Sequence, residues 1–458
     1  MGRLFGTDGV RGLTGSELTP EFALRLGRAI GGFFGPGSRI LVGRDVRAGG
    51  DIILSAVVSG LLSEGVKVYN ANLIPTPALQ YSVKSMGYDG GVMVTASHNP
   101  PEYNGIKVIA PDGVEVDRDD EEAIEELYFK GHSSKLEWRS LVEPPETVGG
   151  LIDAYVNAII SQVDSESIAR RGFKVVVDCA NSVGALATPL LLRKLGVKVY
   201  SLNCHLDPYF PGREPEPTPS NLLNAASLVL SSGADMGAGH DGDADRAIII
   251  DDRGEIYWGD RTGAVLSHYA STKWRDVPRR VFTGVSSSMV VEQYLSKRGI
   301  EVVWTPVGSV TIARTMVKSG GAIAGFEENG GYMHVPHQYV RDGAMTIALA
   351  LDMLASLKSR MSDIISALPK YYPVKTKIPM SRSEVLCSLE AVKELFSGYR
   401  MITIDGVKVL GEDFWILVRP SGTEPVLRIM AEAVSKEKAE SIVDATKRVI
   451  SEKCLGGR

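Results

Sequence analysis

The stretch RILVGRD at residues 39–45 decides the fold, because it opens a unit that the chain repeats. A short apolar run of this kind predicts a buried strand. It is followed by a helical stretch at about Asp51–Ser63 and by a second strand at Val66–Tyr69. Buried strands joined by crossover helices are typical of α/β sheets, so the unit predicts an α/β domain.

Two more copies keep the same order of strand, small-residue loop, helix and strand. They start with the strands Phe173–Asp178 and Val281–Gly284, continue through helices near Leu186–Leu195 and Met289–Arg298, and end with Val197–Tyr200 and Ile300–Trp304. The region after residue 369 has strand-like runs and one amphipathic helix at about Lys436–Ile450. We therefore predict three α/β domains of similar plan and a smaller C-terminal α+β domain with an antiparallel sheet.

Three segments of linker-like or turn-like composition divide the chain. The first is an acidic helical stretch at Asp117–Glu126 followed by EPPE at residues 143–146, the second is DDRG at 251–254, and the third is LPKYYP at 368–373. Such clusters of proline, glycine and charge are typical of domain boundaries. We expect domains at residues 1–146, 147–250, 251–368 and 369–458.

Composition narrows the class of protein. Hydrophobic residues make up 44% and charged residues 23%, as in ordinary globular proteins. No apolar run approaches the roughly 18–20 residues that cross a membrane, and the opening MGRLFG lacks a signal-peptide core. We expect a cytoplasmic protein without membrane contact. The net charge of −5 and the lack of long basic runs give no reason to expect a nucleic-acid partner. A homo-oligomer is possible, and the sequence does not decide the oligomeric state.

The four cysteines lie far apart in the sequence. Cys179, Cys204, Cys387 and Cys454 form no C-x-x-C pair and no metal-type cluster. We expect reduced cysteines that serve mainly in packing.

One strand-like run ends abruptly on polar residues, in the stretch MVTASHNPP at residues 93–101. The two prolines place Ser97 and His98 on a rigid loop at the end of a sheet, where open α/β sheets usually carry their chemistry. We hypothesise that Ser97 carries a phosphoryl group. The alternative is a polar turn in which the hydroxyl bonds nearby backbone. Lys107 follows closely enough to return to the same pocket.

The strongest local signal is DGDADR at residues 241–246. Asp241, Asp243 and Asp245 can converge on one hard cation, Mg²⁺ or Ca²⁺, if small residues let the loop coil tightly. An EF-hand is excluded, because its sixth position requires glycine and holds Arg246, and its twelfth requires glutamate and holds Asp252. A solvated acidic turn is the alternative, although an unpaired carboxylate triplet repels itself.

A second polar loop, RPSGTEP at residues 419–425, lies between two predicted strands. A guanidinium, two hydroxyls and a glycine amide make a cradle for phosphate. The groups of this loop and of the following strand are Arg419, Ser421, Gly422, Thr423 and Arg428. An ordinary hairpin is the alternative.

Two further loops carry acceptors and a cation. The stretch GFEENGG at residues 325–331 supplies Glu327 and Asn329 as acceptors for sugar hydroxyls and a plausible proton acceptor, or else serves as a helix cap or turn. The stretch FGTDGVRG at residues 5–12 carries Arg11 but lacks the spacing of a Walker P-loop.

Together these loops balance charge. A phosphorylated Ser97 brings about −1.5 to −2 charges, the three aspartates add three more, and one Mg²⁺ cancels two. The cations Arg11, Lys107 and Arg246 can offset the remainder, and such charge stabilisation is most of what a protein contributes to phosphoryl transfer.

Four of these motifs, in this order, resemble the α-D-phosphohexomutase superfamily over essentially the whole chain. They are TASHNP at 95–100, DGDADR at 241–246, EENGG at 327–331 and RPSGTEP at 419–425. The resemblance implies the fold class α/β: three tandem α/β domains of related topology with mixed sheets and a smaller C-terminal α+β domain, around a central active-site cleft.

The resemblance also implies a mechanism. Phospho-Ser97 would donate its phosphoryl group to a hexose 1- or 6-phosphate, giving a bound hexose 1,6-bisphosphate that returns its other phosphate to Ser97. Mg²⁺ would be held by the three aspartates and a phosphoserine oxygen. Arg419, Ser421, Gly422, Thr423 and Arg428 would grip the substrate phosphate, and Glu327 and Asn329 the sugar. Arg11, Lys107, His98 and Arg246 would complete the catalytic set. General acid/base candidates, left unranked, are Lys107, Arg11, His98 and Glu327.

Two departures bear on the site. Many relatives have serine at the position of Asn329 and histidine at that of Gly331, so the role of that histidine is absent here or moved. His334 is close in sequence and is either its substitute or a structural residue.

Substrate choice is set by the resemblance alone. The opening LFGTDGVRG is similar to phosphoglucosamine mutases, which favours glucosamine phosphate, with galactosamine phosphate as a second substrate. Phosphomannomutase or phosphoglucomutase activity on mannose or glucose phosphates is the alternative. An alternative of another class is a non-catalytic sugar-phosphate-binding protein. A serine hydrolase is disfavoured, because Ser97 lacks a G-x-S-x-G elbow.

Overall fold

The computed structural model describes residues 4–6, 8–131, 134, 136–137, 144–421 and 425–456. It places four sheets in succession along the chain. No helix within these ranges is both long and apolar enough to cross a bilayer.

The first sheet has six strands in the spatial order 1-5-4-2-3-6. Its strands are β1 (Val10–Leu13), β2 (Arg39–Arg44), β3 (Lys67–Leu73), β4 (Gly90–Val94), β5 (Tyr103–Ile109) and β6 (Glu146–Thr147). Its helices are α1 (Pro20–Phe34), α2 (Gly50–Ser63), α3 (Thr76–Ser85) and α4 (Arg118–Lys130). The central strand β2 is apolar and buried from Ile40 to Val42, as the opening stretch predicts.

The second sheet has five strands in the spatial order 11-10-9-7-8. Its strands are β7 (Lys174–Asp178), β8 (Lys198–Leu202), β9 (Met236–His240), β10 (Ala247–Ile250) and β11 (Ile256–Tyr257). The accompanying helices are α5 (Leu151–Ile160), α6 (Ser165–Arg171), α7 (Gly184–Lys194) and α8 (Leu223–Ser232).

The third sheet has four strands in the spatial order 13-12-14-15. Its strands are β12 (Arg280–Gly284), β13 (Glu301–Thr305), β14 (Ala324–Phe326) and β15 (Tyr332–His334). The accompanying helices are α9 (Gly259–Lys273), α10 (Met289–Ser296), α11 (Ser309–Lys318), α12 (Gly343–Leu357) and α13 (Met361–Ser366).

The fourth sheet is antiparallel, with five strands in the spatial order 16-20-19-18-17. Its strands are β16 (Tyr372–Pro379), β17 (Arg400–Ile402), β18 (Val407–Leu410), β19 (Phe414–Pro420) and β20 (Val426–Ala433), and its helices are α14 (Arg382–Leu395) and α15 (Lys436–Cys454). Helix α14 was missing from the sequence prediction. Its signal was present, because Ser381 and Glu384 form a capping box at its start.

The first three sheets share one connectivity. In each, a central strand pairs in parallel with the next two strands of the chain: β2 with β3 and β4, β7 with β8 and β9, and β12 with β13 and β14. The third strand of each set then pairs antiparallel with the strand that follows, through the hairpins β4–β5, β9–β10 and β14–β15. The predicted repeat and its mixed sheets are thereby confirmed.

The predicted divisions after residues 146, 250 and 368 stay a prediction. Two of them lie beside sheet strands. Residue 146 begins β6, which pairs with β3 of the first sheet, and β11 follows residue 250 but pairs with β10 of the second sheet.

Buried apolar side chains from the first three sheets form one continuous cluster. It contains, for example, Leu41 on β2, Tyr155 on α5 and Val281 on β12, and Trp415 and Leu417 of the fourth sheet join it. The fourth sheet packs against α14 and α15 around a separate cluster that includes Ile416 and Val443. The packing of the first three sheets therefore fixes the relative positions of the loops at their edges.

The cysteine prediction is wrong, because the structure pairs all four. Cys179 is bonded to Cys204 at the ends of β7 and β8, and Cys387 on α14 is bonded to Cys454 at the end of α15. Sequence distance misled the prediction, since the two Cα atoms of the second pair are 5.8 Å apart although 67 residues separate them.

The disulfide between Cys387 and Cys454 gives a stability prediction. Cys387→Ser should destabilise the C-terminal domain by about 2–4 kcal/mol under non-reducing conditions, because the bond closes a long loop. Amide hydrogen exchange of α14 and α15 measures this local stability. In excess reductant, variant and wild type should exchange alike. Equal protection without reductant would contradict the stabilising role of this bond.

Candidate active site

The three equivalent hairpin loops carry the predicted site residues and meet. The loop after β4 holds Ser97, the loop after β9 holds Asp241–Arg246, and the loop after β14 holds Glu327. Shared connectivity thus places one polar loop from each of three sheets at one site. Contacts at this site join residues that are 96 to 144 positions apart in the sequence.

Ser97 is fully buried and has a left-handed backbone, with φ at 51°. Its hydroxyl donates to Asp241 Oδ2 at 2.7 Å, and its backbone N–H donates to Thr95 Oγ1 at 2.9 Å. A non-glycine residue in this region costs of order 1–3 kcal/mol, so the surroundings must impose it.

Arg47 imposes this conformation. Its guanidinium donates to four backbone carbonyls of the loop, those of Ser97 (2.6 Å), Asn99 (2.7 Å), Pro100 (2.7 Å) and Tyr103 (3.1 Å). Asp45, directly after β2, accepts from Arg47 Nε at 3.1 Å and from Thr95 Oγ1 at 2.6 Å. Burial raises the pKa of Asp45 and outweighs the opposing pull of Arg47. Sequence reasoning missed both residues, although charged residues at the end of a buried strand are a usable signal.

The three aspartates of the second loop are buried, and one carboxylate oxygen from each lies within 4.8 Å of the others. Burial and mutual repulsion raise the pKa of Asp241. The Oδ1 atoms of Asp243 and Asp245 are buried without a hydrogen-bond partner in the described part of the chain. Unsatisfied oxygens of this kind fit a hard divalent cation. Glycine is required at 242, since a Cβ there would lie 2.4 Å from the Ser97 carbonyl oxygen.

Lys107, on β5, provides the central cation. Its Nζ lies 2.9 Å from Asp243 Oδ2, 3.3 Å from Asp245 Oδ2 and 3.4 Å from Asp8 Oδ2. Burial alone would lower the pKa of Lys107, but the three carboxylates outweigh burial and raise it. Lys107 is therefore a fixed positive charge. Thr76, at the start of α3, also donates to Asp243 Oδ2, at 2.7 Å.

Arg246 and Arg11 flank the serine loop. Arg246 Nη2 donates to His98 Nδ1 at 2.9 Å, and Arg246 Nε lies 3.7 Å from Asp241 Oδ2. Burial, followed by the charge of Arg246, lowers the pKa of His98 well below its usual value, so His98 is neutral. Arg11 donates to Asn99 Oδ1 at 2.7 Å and to Asp8 Oδ2 at 2.6 Å.

Glu327 lies beside a cation that sequence reasoning missed. Arg341 Nη1 donates to Glu327 Oε2 at 3.2 Å, and Nη2 donates to Asp245 Oδ2 at 2.5 Å and to Asp8 Oδ2 at 3.2 Å. Asn329 uses its Oδ1 locally, as the acceptor of the Gly331 N–H at 3.1 Å. The structure therefore gathers the residues predicted for the first three loops and adds Asp8, Asp45, Arg47, Thr76 and Arg341.

The predicted phosphate loop belongs to the fourth sheet. Arg419 pairs with Asp405 at 3.1 Å, and the Ser421 N–H donates to the Val426 carbonyl at 2.9 Å. Arg428 lies opposite Arg419 in the ladder of β19 and β20. Gly422 and Thr423 lie outside the described residues. The role of this loop stays a prediction.

His334 has a structural position. It is buried, its ring centroid lies 4.4 Å from the ring of Trp274, and neither ring nitrogen has a hydrogen-bond partner among the described residues. Of the two readings of His334, the structural one fits these contacts. It does not join the loops around Ser97.

Four family models match the chain in succession. They are the phosphoglucomutase/phosphomannomutase α/β/α domains I, II and III, at residues 2–135, 153–254 and 258–372, and the C-terminal domain, at residues 358–449. The chain belongs to the phosphoglucomutase/phosphomannomutase family. The predicted superfamily, the predicted fold class and the predicted enzyme class, a phosphohexomutase, are confirmed by this membership.

Individual relatives agree with the family assignment. A phosphoglucosamine/phosphogalactosamine mutase of Sulfurisphaera tokodaii is 52% identical, over 99% of this chain and 100% of the relative. A phosphoglucomutase/phosphomannomutase of Thermococcus kodakarensis is 40% identical over the full length of both chains. The crystal structure of a family protein from Burkholderia thailandensis matches with a TM-score of 0.85 and 25% identity, over 97% of each chain.

The burial of His334 gives a pH prediction. Burial, with the nearby charges of His337 and Lys273, lowers the pKa of His334 to about 3, against about 6.5 in the unfolded chain. Its contribution to stability is therefore complete above pH 6.5 and is lost as the pH falls toward 3. Between pH 7 and pH 5 the wild type should lose roughly 2 kcal/mol more than His334→Leu, in urea denaturation.

The control for this prediction is His205→Leu, at an exposed position. It should keep the pH dependence of the wild type. The same loss of stability in His334→Leu and in the wild type would contradict the burial argument.

Proposed function

We propose that this family member interconverts hexose 1-phosphates and 6-phosphates through a phosphorylated Ser97, with Mg²⁺ at the three aspartates. The observation that carries the proposal is the 2.7 Å hydrogen bond from the Ser97 hydroxyl to Asp241, inside a buried aspartate loop that has two oxygens without a partner in the described part of the chain. A polar turn alone would not explain why a rigid serine faces three buried carboxylates.

The transfer step has a simple balance. The bond between phosphorus and Ser97 Oγ breaks as a sugar hydroxyl oxygen forms a bond to phosphorus. The sugar hydroxyl loses one proton and Ser97 Oγ gains one, so the net step moves a single proton from the sugar to the serine. The recovered hydroxyl then donates to Asp241 Oδ2, as it does in the structure. The reverse step with the other phosphate of the bisphosphate restores phospho-Ser97.

The contacts favour Glu327 as the acceptor of the sugar proton. Lys107 and Arg11 are cations paired with carboxylates, so neither offers an acceptor for the proton. His98 already accepts a hydrogen bond at Nδ1, so its neutral ring carries its proton on the other nitrogen. Glu327 is the carboxylate that remains among the four candidates.

Charge balance supports the metal. Phospho-Ser97 with Asp8, Glu327 and the three aspartates carries about seven negative charges. Four cationic side chains, Arg11, Lys107, Arg246 and Arg341, contact this group and supply four positive charges. A bound Mg²⁺ would bring the positive total to six and would polarise the transferring phosphoryl group.

The proposed substrates are small hexose phosphates, with glucosamine phosphate first and galactosamine phosphate second. The name of the Sulfurisphaera relative supports amino sugars. The name of the Thermococcus relative supports the alternative, glucose or mannose phosphates. Cytoplasmic location belongs to the same proposal and rests on the sequence.

The phosphocarrier role is tested by intact-mass analysis. After incubation with a hexose 1,6-bisphosphate and Mg²⁺, the wild type should carry one phosphoryl group and Ser97→Ala none. Turnover of the variant should fall by roughly 10⁴-fold or more, because the nucleophile is lost. Ser55→Ala, in an exposed serine of α2, is the matched control and should behave as the wild type. A wild type that binds the bisphosphate but stays unphosphorylated would favour the non-catalytic binding protein.

Substrate choice is tested by comparing kcat/KM for four sugar 1-phosphates. Glucosamine and galactosamine 1-phosphates should exceed glucose and mannose 1-phosphates by about tenfold or more, the worth of one charge-assisted hydrogen bond to an ammonium group. A higher kcat/KM for the neutral sugars would overturn the amino-sugar assignment and leave the mutase assignment in place.

A further inference from the structure

Arg341 contacts carboxylates from three separate parts of the chain. Asp8 belongs to the N-terminal segment, Asp245 to the aspartate loop and Glu327 to the loop after β14. The Arg341 residue is only 5% exposed. The donors of a planar guanidinium point in fixed directions, whereas a lysine ammonium is a point charge with rotatable donors.

The backbone beneath Arg341 is anchored. The next residue, Asp342, caps α12 by accepting from the Met345 N–H at 2.9 Å, and its Oδ1 also accepts from the Tyr155 hydroxyl at 2.5 Å. The Asp342 N–H donates to the Tyr332 carbonyl at 3.0 Å. Arg341 therefore extends from a rigid base.

Gly331 makes room for Arg341. A Cβ at residue 331 would lie 2.3 Å from Arg341 Cδ and 2.9 Å from Arg341 Cγ. The backbone φ of Gly331 is not positive, so the backbone at this position would accept a residue other than glycine. A side chain at 331 and the present course of Arg341 exclude each other on grounds of space.

Asp245 shows what Arg341 does. Its Oδ2 accepts from Arg341 and lies 3.3 Å from Lys107 Nζ. Its Oδ1 has no hydrogen-bond donor among the residues that the structure describes, and Arg246 Nε lies 3.9 Å away. A carboxylate fixed through one oxygen presents the other in a defined direction, as the outer contacts of metal ligands commonly do.

We propose that Arg341 is a positioning residue of the phosphoryl-transfer site, orienting Asp245 for the cation and Glu327 for the sugar. This inference rests on the proposed function for the identity of cation and sugar. It assigns to Arg341 and Gly331, as a pair, the coupling between the aspartate loop and the loop after β14.

The test measures metal binding without turnover. Mn²⁺ is titrated into the substrate-free full chain and free Mn²⁺ is followed by electron paramagnetic resonance. Arg341→Ala should weaken Mn²⁺ binding by about 10-fold or more, the usual effect of losing an outer contact of a metal ligand. Arg341→Lys should recover only part of this loss. KM for the sugar 1-phosphate should rise in both variants, because Glu327 loses its partner.

A second variant acts on the same guanidinium from the other side. Gly331→Ala keeps every charge but displaces Arg341, so it should also weaken Mn²⁺ binding in the wild-type background. In the Arg341→Ala background the added methyl group has space, so Gly331→Ala should have no further effect. This non-additivity separates a specific contact from general damage to the fold, and Gly331→Ala serves alone if Arg341→Ala does not fold.

The matched control is Arg314→Met. Arg314 also joins distant segments, donating to Asp112 and to the carbonyls of Val114 and Glu115. It should leave the Mn²⁺ affinity unchanged. Unchanged or tighter Mn²⁺ binding in folded Arg341→Ala would overturn the positioning role, since tighter binding would mean that Arg341 competes with the ion. A wild type that binds no Mn²⁺ would instead refute the metal site of the proposed function.

Discussion

The site depends on charge neutralisation between carboxylates and cations that come from different sheets. Lys107 belongs to the first sheet and contacts aspartates of the second, while Arg341, from the segment before α12, contacts Asp8 and Asp245. Buried charges of this kind are tolerable only when they are paired. The charged loop of each sheet can therefore be buried only when the other sheets supply the opposite charges. The juxtaposition of the three loops is an electrostatic requirement as well as a result of packing.

Packing and electrostatics divide the work. The continuous apolar cluster of the first three sheets brings the equivalent hairpin loops to one place. Arg47 then fixes the backbone of the serine loop, so that the Ser97 hydroxyl faces Asp241. The fourth sheet has its own core on one face, and Trp415 and Leu417 on its other face join the continuous cluster.

The sequence predicted what is encoded locally. The strands, the repeated unit and the aspartate loop each lie within a short window of sequence. Their residue types therefore indicate their structure or chemistry directly. The residues that it missed act over long separations. Arg341 and Asp8 are 333 positions apart, and Arg47 recognises carbonyls about 50 positions away, which carry no side-chain signature. The two disulfides were not predicted for the same reason, because the spacing of cysteines in the sequence does not show which of them are close in space. Helix α14 is different: its capping signal was local and was overlooked.

Because the residues of the site come from several domains, the order of their synthesis on the ribosome matters. Asp8 and Lys107 emerge early, but the aspartates that hold Lys107 emerge more than 130 residues later, and Arg341 about 100 residues after those. In the nascent first domain, Asp8 and Lys107 must therefore stay hydrated although the sheet is already able to form. A chain that terminates before residue 341 would contain Ser97 and the aspartates yet lack the guanidinium that joins Asp245 to Glu327, so its site would be incomplete.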